Sequence, residues 1–232
     1  MFKLIKNIII TFIGLSILIT LVMGVYFSSN SEERKQEEEA KRIEAVSVKQ
    51  RVKSSEYSEN KLELLTQFSK SLDNGDYQST LHSIEYYYPH LNNNLKNELT
   101  PLYVKALLGV VKQIPANKFD ENLSVYEKLI TLKPNDQTIQ KKYEHYKKAS
   151  KTLKDVKGRL SSYDGSYEPL VRYVKENMKN PSSFEHIETR YSVQPQKIYV
   201  TMKYRGTNGF GAIVIESSKV EIELNGHSTV IN

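Results

Sequence analysis

Near the C-terminus, His186 lies between Glu185 and Glu188, and these three residues are the first candidates for chemistry. Imidazole and carboxylate groups are ligands for zinc and other divalent metals. A His-x-Glu pair in an extended segment is not a complete ligand set, and the five histidines are scattered along the chain. The pattern therefore predicts no metal site.

The glycine-rich stretch GTNGFG, residues 206–211, is the second candidate, and Arg205 precedes it directly. Arg205 and Asn208 could bind a carboxylate or a phosphate together with main-chain N–H groups of the loop. The same glycines supply the positive-φ positions that a tight turn requires. The turn is the simpler interpretation of this stretch.

Composition and missing motifs exclude several kinds of chemistry. The 232 residues include no cysteine, so disulfides, thiolate catalysis and zinc–thiolate sites are ruled out. The sequence contains no phosphate loop, nucleophile elbow or dinucleotide-binding fingerprint. We therefore predict no catalytic residue, no cofactor and no metal, and we do not expect an enzyme.

The elements that must position these candidates are a helix and a small antiparallel sheet. Residues 168–180 have the apolar spacing of a helix, which Asn180-Pro181 ends. From residue 197 the period changes to alternation, which is typical of a half-buried strand. One face of that strand is predicted to carry Ile198, Val200, Met202 and Tyr204.

The following strand is predicted to be interrupted. Ile213 and Ile215 occupy odd-numbered positions, whereas the later apolar residues occupy even-numbered ones: Val220, Ile222 and Leu224. A bulge or break at 216–219 would bring both sets to one face. The dipeptide NG at 225–226 predicts a tight turn before a short last strand, HSTVI.

This C-terminal region resembles a short module found in many uncharacterised bacterial and phage-related proteins. The shared pieces are NPSSFEH at 180–186 and YRGTNGFG at 204–211. The resemblance implies a defined module over 167–232. It brings no established activity, so it implies no catalytic residue.

The middle of the chain reads as paired helices. After the turn at 115–118, Phe119 is followed by Tyr126 seven residues later and by Pro134 after a further eight. This spacing resembles the second helix and exit turn of a tetratricopeptide repeat. Thr100 and Pro101 are predicted to open the helix before it.

A fainter upstream copy of the repeat contains Tyr77 at its turn, and the resemblance covers about residues 58–150. Leu108-Gly109 resembles the Leu-Gly pair of the family. Thr80 and Asn122 stand where the family usually has alanine. This departure puts close helix packing in doubt.

Residues 137–160 predict an amphipathic helix with a basic outer face. The segment holds eight Lys and Arg residues and two acidic ones, which accounts for the formal net charge of +6. We interpret it as the polar terminal helix of a helical stack. The alternative is a basic helix that contacts anionic lipid, an acidic peptide or, least expected, nucleic acid.

The N-terminal end predicts a membrane anchor. After a basic leader at 1–6, residues 7–27 run without a charge, and a helix of that length spans a bilayer core of about 30 Å. Residues 28–57 predict a charged helical stalk, with Glu37 and Lys41 in a favourable i,i+4 pair. We expect residues 7–27 to contact membrane lipid and most of the chain to lie outside the cytoplasmic membrane.

Together these patterns predict an α+β fold. A single transmembrane helix is followed by tetratricopeptide-like helical hairpins over 58–160, a linker at 161–166 and the small helix-plus-sheet module at 167–232. The predicted function is a membrane-anchored protein-interaction or scaffolding protein of the bacterial envelope. Its protein or peptide partner would bind the helical-repeat surface.

Two alternatives stay open. The chain could be a ligand-binding receptor or an enzyme with a site in the C-terminal sheet around Arg205, Asn208 and His186. It could also be a phage-encoded membrane protein that acts on the host envelope. Nucleic acid is not an expected partner, because a membrane-anchored chain outside the cytoplasm would not meet it.

Overall fold

The computed structural model describes residues 34–231. The basic leader at 1–6, the predicted membrane span at 7–27 and the first part of the predicted stalk lie outside the described residues. Between residues 34 and 231, no helix combines the length and the apolar composition that a membrane crossing needs.

The described chain is α+β, as the sequence predicts. Seven α-helices precede one four-stranded antiparallel sheet. The helices are α1 (34–59), α2 (Lys61–Asp73), α3 (Tyr77–Tyr87), α4 (Asn93–Gln113), α5 (Phe119–Leu132), α6 (Gln137–Gly158) and α7 (Glu168–Asn177). The strands are β1 (Glu185–Val193), β2 (Lys197–Thr207), β3 (Ile213–Glu223) and β4 (Ser228–Ile231), with short 3-10 turns at Tyr88–His90 and Pro181–Ser183.

The described residues form two compact units. The first contains residues 34–65 and 85–96, and the second contains 66–84 and 97–231. Within the first unit the Tyr57 side chain is fully buried, and its ring centroid lies 5.6 Å from that of Tyr87. Burial and a hydrogen bond to the Glu56 carboxylate raise the pKa of Tyr87 to about 12.

In the second unit, α5 and α6 pack against each other. Phe119 and Tyr126 are buried on the inner side of α5, and the Tyr126 ring stacks on Tyr146 of α6 at 5.4 Å. Asp136 caps α6, because its carboxylate accepts hydrogen bonds from the N–H groups of Thr138 and Ile139.

The predicted start of α4 at Thr100 and Pro101 is wrong. The helix begins at Asn93, and Pro101 lies inside it. Asn92 caps the true start by accepting a hydrogen bond from the Leu95 N–H. A proline inside a helix costs about 3 kcal/mol, and the burial of Leu99 before it offsets much of that cost, since a fully buried leucine contributes about 1.5–3 kcal/mol.

Thr80 and Asn122 pack closely despite their polar side chains. Both are almost fully buried. The Thr80 hydroxyl donates to the Asp76 carbonyl at 2.7 Å, and the Asn122 amide donates to the carbonyls of Pro115 and Lys118 at 2.9 and 3.0 Å. These local hydrogen bonds satisfy the Thr80 hydroxyl and the Asn122 amide N–H groups, whereas the buried Asn122 Oδ1 has no hydrogen-bond partner within the described residues.

The sheet is a meander in the order β1-β2-β3-β4. The predicted inner face of β2 is confirmed, and its four residues are buried: Ile198, Val200, Met202 and Tyr204. The predicted break at 216–219 is wrong, because β3 pairs with β2 without a shift from Ile213 to Glu223. The one register shift between β1 and β2 lies at His186/Glu188. Because β3 has no such shift against β2, Ile213 and Ile215 stay on the outer face.

The helices of the second unit contact its sheet through side-chain hydrogen bonds. The Asn117 amide donates to the Val193 carbonyl at 3.1 Å, and the Thr152 hydroxyl donates to the Leu224 carbonyl at 2.9 Å. The loop between α6 and α7, the predicted linker at 161–166, is internally bonded. The Ser161 N–H donates to the Ser166 carbonyl at 2.8 Å.

Asp164 in this loop gives a pH-dependent prediction. Hydrogen bonds from the main-chain N–H of Ser166 and from the hydroxyls of Ser161 and Ser166 lower the pKa of Asp164 to about 2. A carboxyl whose pKa is lower in the folded state stabilises that state above its unfolded pKa, near 3.8, and the stabilisation is lost as pH falls through about 2.

We expect the wild-type chain to be more stable than Asp164→Asn above about pH 4, because the amide accepts the same bonds without a charge. The difference in free energy of unfolding should shrink as pH falls from 4 to 2. Chemical unfolding of both chains across this range measures it. A constant difference would mean that the Asp164 charge does not stabilise the loop.

Candidate functional site

The two halves of the C-terminal motif meet in the structure and bind each other. The Ser183 hydroxyl accepts a hydrogen bond from the Thr207 N–H at 2.8 Å and donates to the Asn180 carbonyl at 2.7 Å. The Asn180 amide donates to the Thr207 hydroxyl at 3.0 Å. The NPSSFEH segment is therefore hydrogen-bonded to the end of β2.

Further motif residues complete this junction. The Phe184 ring stacks on Tyr204, with centroids 5.6 Å apart. A Cβ on Gly206 would lie 2.2 Å from the Met178 Cε, so glycine makes room for that methionine. On the outer face the Arg205 guanidinium binds the Glu185 carboxylate through Nε at 2.8 Å. These residues have structural partners, which explains why they occur together in the sequence.

His186 lies on the inner face of the sheet with its side chain 8% exposed. Its Nε2 is 2.9 Å from the Thr189 hydroxyl, and its Nδ1 is 3.8 Å from the Asp164 carboxylate. Residues 34–231 contain no group of three or more His, Asp or Glu side chains placed to hold a metal ion. His186 thus has a hydrogen-bond partner within β1 and lies near the Asp164 carboxylate of the loop.

Asn208 caps the turn between β2 and β3. Its side-chain oxygen accepts hydrogen bonds from the N–H groups of Phe210 and Ala212, both at 3.0 Å. Arg205 therefore lies on the outer face, His186 on the inner face, and Asn208 in the turn. The structure does not bring these three predicted site residues into one site.

A cleft of about 650 Å³ lies between α7 and the β2–β3 hairpin. Tyr173 and Asn177 of α7 form one side, and Tyr204 and Glu216 form part of the other. The Tyr204 hydroxyl donates to the Glu216 carboxylate at 2.8 Å. Burial and this hydrogen bond raise the pKa of Tyr204, so the phenol stays protonated and acts as a donor.

The edge of β3 beside this cleft has no neighbouring strand within residues 34–231. The four residues of β4 pair only with 219–222 of β3, which leaves 213–218 without a partner on that side. Backbone groups of alternate residues face opposite neighbours in a strand. The Glu223 N–H points to β4, since it donates to the His227 carbonyl at 2.8 Å. The odd-numbered residues of β3 therefore face the β4 side.

It follows that the N–H and C=O groups of Ile213, Ile215 and Ser217 point away from β2. We call residues 213–218, on this side of β3, the free edge. The side chains of Ile213 and Ile215 are 71% and 60% exposed, and Phe210 in the adjoining turn is 99% exposed. Proteins usually blunt such edges with proline, lysine or a bulge. The free edge contains none of these, and Glu216 is its only charged residue.

The opposite edge of the sheet is partly covered. On β1 the outward-facing carbonyl of Val193 accepts the hydrogen bond from Asn117. The sequence contained a signal for the difference, since a five-residue strand, HSTVI, cannot cover an eleven-residue neighbour. The bulge predicted at 216–219 would instead turn the odd-numbered isoleucines inward, and the unshifted pairing of β3 with β2 keeps them on the outer face.

Comparison of the chain with protein-family models, with curated proteins and with solved structures finds no match.

Proposed function

We propose that this chain is a membrane-anchored scaffolding protein of the bacterial envelope and that it associates with protein through the free edge of β3. An extended protein segment would add to the sheet as a further strand. Residues 7–27 would hold the chain in the membrane, with most of the chain on the extracytoplasmic side. The helix pairs α2–α3 and α4–α5 would be degenerate tetratricopeptide-like hairpins that support the sheet.

The observation that carries this proposal is the set of main-chain groups at Ile213, Ile215 and Ser217. An added strand satisfies such donors and acceptors directly, and this is how several peptide-binding domains recognise extended segments. The side chains of an added strand would alternate between the outer face and the cleft beside α7. The site thus offers both affinity from the backbone and selectivity from the cleft.

We place the interface on the sheet and not on the helical repeat, because, of the two, only the sheet has exposed apolar side chains that are close together in the sequence. Among the helices α2 to α5, the large exposed apolar side chains are far apart in the sequence: Leu62, Tyr86 and Leu108. Single exposed apolar residues are normal on protein surfaces. In contrast, Phe210, Ile213 and Ile215 follow one another along the free edge and its turn. A contiguous apolar strip beside unpaired backbone favours association.

The test is site-specific photo-crosslinking in the membranes of cells that express the full-length chain. A benzophenone amino acid replaces Ser217 at the free edge in one chain and Tyr191 at the β1 edge in another. We expect a discrete protein adduct from position 217 and none from position 191.

Matched proline variants identify the main-chain contribution. Ile215→Pro removes one N–H from the free edge, whereas Tyr191→Pro removes one from the β1 edge, and neither residue donates to the β2 ladder. The adduct from position 217 should disappear with Ile215→Pro and persist with Tyr191→Pro. Adducts that survive Ile215→Pro, or the absence of any adduct at 217, would contradict the proposal.

A further inference from the structure

We infer that the segment bound at the free edge is β3 of a second copy of this chain, related to the first by a two-fold axis that passes through Ile215. This inference rests on the proposed function, because it names the occupant of the same edge. The resulting assembly is a dimer with one continuous eight-stranded sheet, in which the two free edges cover each other.

Only the odd-numbered residues of β3 have main-chain groups that face the free edge, and this limits how two copies can pair. Hydrogen-bonded partners must both be residues whose backbone faces the free edge, and a two-fold axis keeps the outer faces on the same side. An axis through Ile215 satisfies both conditions. Ile215 then pairs with Ile215 of the second copy, and Ile213 pairs with Ser217 of the second copy. Antiparallel pairing of these residues forms about six main-chain hydrogen bonds.

Glu216 excludes the neighbouring register. An axis through Glu216 would place the two Glu216 carboxylates directly opposite each other, at the close spacing of a non-hydrogen-bonded pair. Like charges in that position are destabilising. In the register centred on Ile215, each Glu216 instead lies opposite Val214 of the other copy. No salt bridge within the described residues neutralises Glu216, so its charge selects the register.

The ends of the strands select the same register. An axis through Ser217 would require Lys219 of one copy to pair with the other, but Lys219 already pairs with Ile231 of β4. An axis through Val214 would leave Ser217 unpaired and would form about four hydrogen bonds instead of six. Centring on Ile215 pairs residues 213–217 of both copies and stops where β4 begins.

The apolar side chains agree with this arrangement. On the outer face, Ile215 of each copy would contact Ile215 of the other, which buries a side chain that is 60% exposed in the single chain. Paired β-branched residues are favourable across antiparallel strands. Residues 213–217 thus provide the main-chain hydrogen bonds, the apolar contact at Ile215 and the Glu216 charge that excludes the register centred on Glu216.

Because the chain contains no cysteine, disulfide trapping can test the register without background. A hydrogen-bonded antiparallel pair has Cα atoms about 5.5 Å apart, within the range of about 4.4–6.8 Å that a disulfide spans. The full-length Ile215→Cys chain in membranes is oxidised with copper phenanthroline. We expect a band at twice the chain mass of 26.8 kDa on a non-reducing gel, lost on reduction.

Two matched variants control for random collision. Ile213→Cys alone should stay monomeric, because the two cysteines would be four residues apart along the strands, about 13 Å. Membranes in which Ile213→Cys and Ser217→Cys chains are co-expressed should yield the dimer, since these positions are paired. Adding Ile215→Pro to the chain that carries Ser217→Cys should abolish that dimer.

The outcomes separate this inference from the proposed function. Dimers from Ile215→Cys and from the mixed pair, but not from Ile213→Cys alone, support the inferred register. Equal crosslinking of all three would indicate non-specific collision and would overturn it. If Ile215→Cys stays monomeric while the photo-adduct from position 217 contains a different protein, the occupant is not a second copy and the edge still binds protein. If neither experiment gives a product, the proposed function fails as well.

Discussion

Gly109→Ala is expected to destabilise the second unit by about 1–3 kcal/mol, the usual range for overpacking. Gly109 lies in α4 under the ring of Tyr77 from α3. A Cβ at this position would lie 2.1 Å from Cδ1 and 2.2 Å from Cγ of that ring. Because Cγ is at the base of the ring, a small rotation cannot relieve the overlap, and the Tyr77 side chain or its helix must move.

Helix propensity acts in the other direction, since alanine is favoured over glycine in a helix by about 1 kcal/mol. We expect the overlap to outweigh it. Thermal or chemical unfolding of the purified full-length chain measures the net effect. Gly158→Ala is the matched control, because nothing lies within 4 Å of a Cβ at that helical position. It should not destabilise.

A second-site change makes the steric argument specific. In a Tyr77→Ala background the ring is absent, so Gly109→Ala should become neutral or stabilising by up to about 1 kcal/mol. An unchanged loss of stability in that background would show that the ring contact is not the cause.

Asn122→Asp is expected to have the largest effect of any single change, about 3–5 kcal/mol of destabilisation at pH 7, as for an uncompensated buried charge. Asn122 is 1% exposed. Its Nδ2 donates to the carbonyl oxygens of Pro115 and Lys118, so an aspartate would direct a carboxylate at two acceptors. Within the described residues, its Oδ1 has no hydrogen-bond partner that could compensate.

The pH dependence separates the charge from the lost hydrogen bonds. Burial raises the folded-state pKa of such an aspartate above its unfolded value of about 3.9. Stability should therefore be regained as pH falls through the raised pKa, with no further gain below about 3.9.

Asn122→Ala serves as the uncharged control and should cost about 1–3 kcal/mol. Its difference from wild type should depend little on pH. Unfolding free energies of wild type and both variants between pH 4 and 7 provide the comparison. Parallel pH profiles for the two variants would contradict a buried charge at this position.

The predictions that the structure confirms are those that depend on a few consecutive residues. Pro134 and Asp136 mark the end of α5 and the cap of α6, and the alternation in β2 identifies its buried face. These features depend on backbone geometry and on the period of apolar residues, which are properties of a few consecutive residues.

Patterns that depend on a distant partner give wrong predictions. Thr100 and Pro101 predict the start of α4, but the helix begins about two turns earlier, at Asn93, and Leu99 in the added part is buried. The apolar character of Ile213 and Ile215 predicts that a bulge turns them inward, but unshifted pairing with β2 keeps them outside. The sequence predicts one alternative site around Arg205, Asn208 and His186, but strand pairing and the turn direct them to different places.

By itself, the sequence determined the α+β class, the boundary between α5 and α6 and the two-sidedness of β2, because each follows from local spacing. Only the tertiary structure decided where the unpaired backbone lies. A strand carries the same N–H and C=O groups whether or not it has a neighbour, and the short length of HSTVI indicates that part of β3 is uncovered without indicating which residues these are. The free edge of β3 exists because β4 is shorter than the strand it pairs with, and that mismatch becomes a surface only when the two strands are placed side by side.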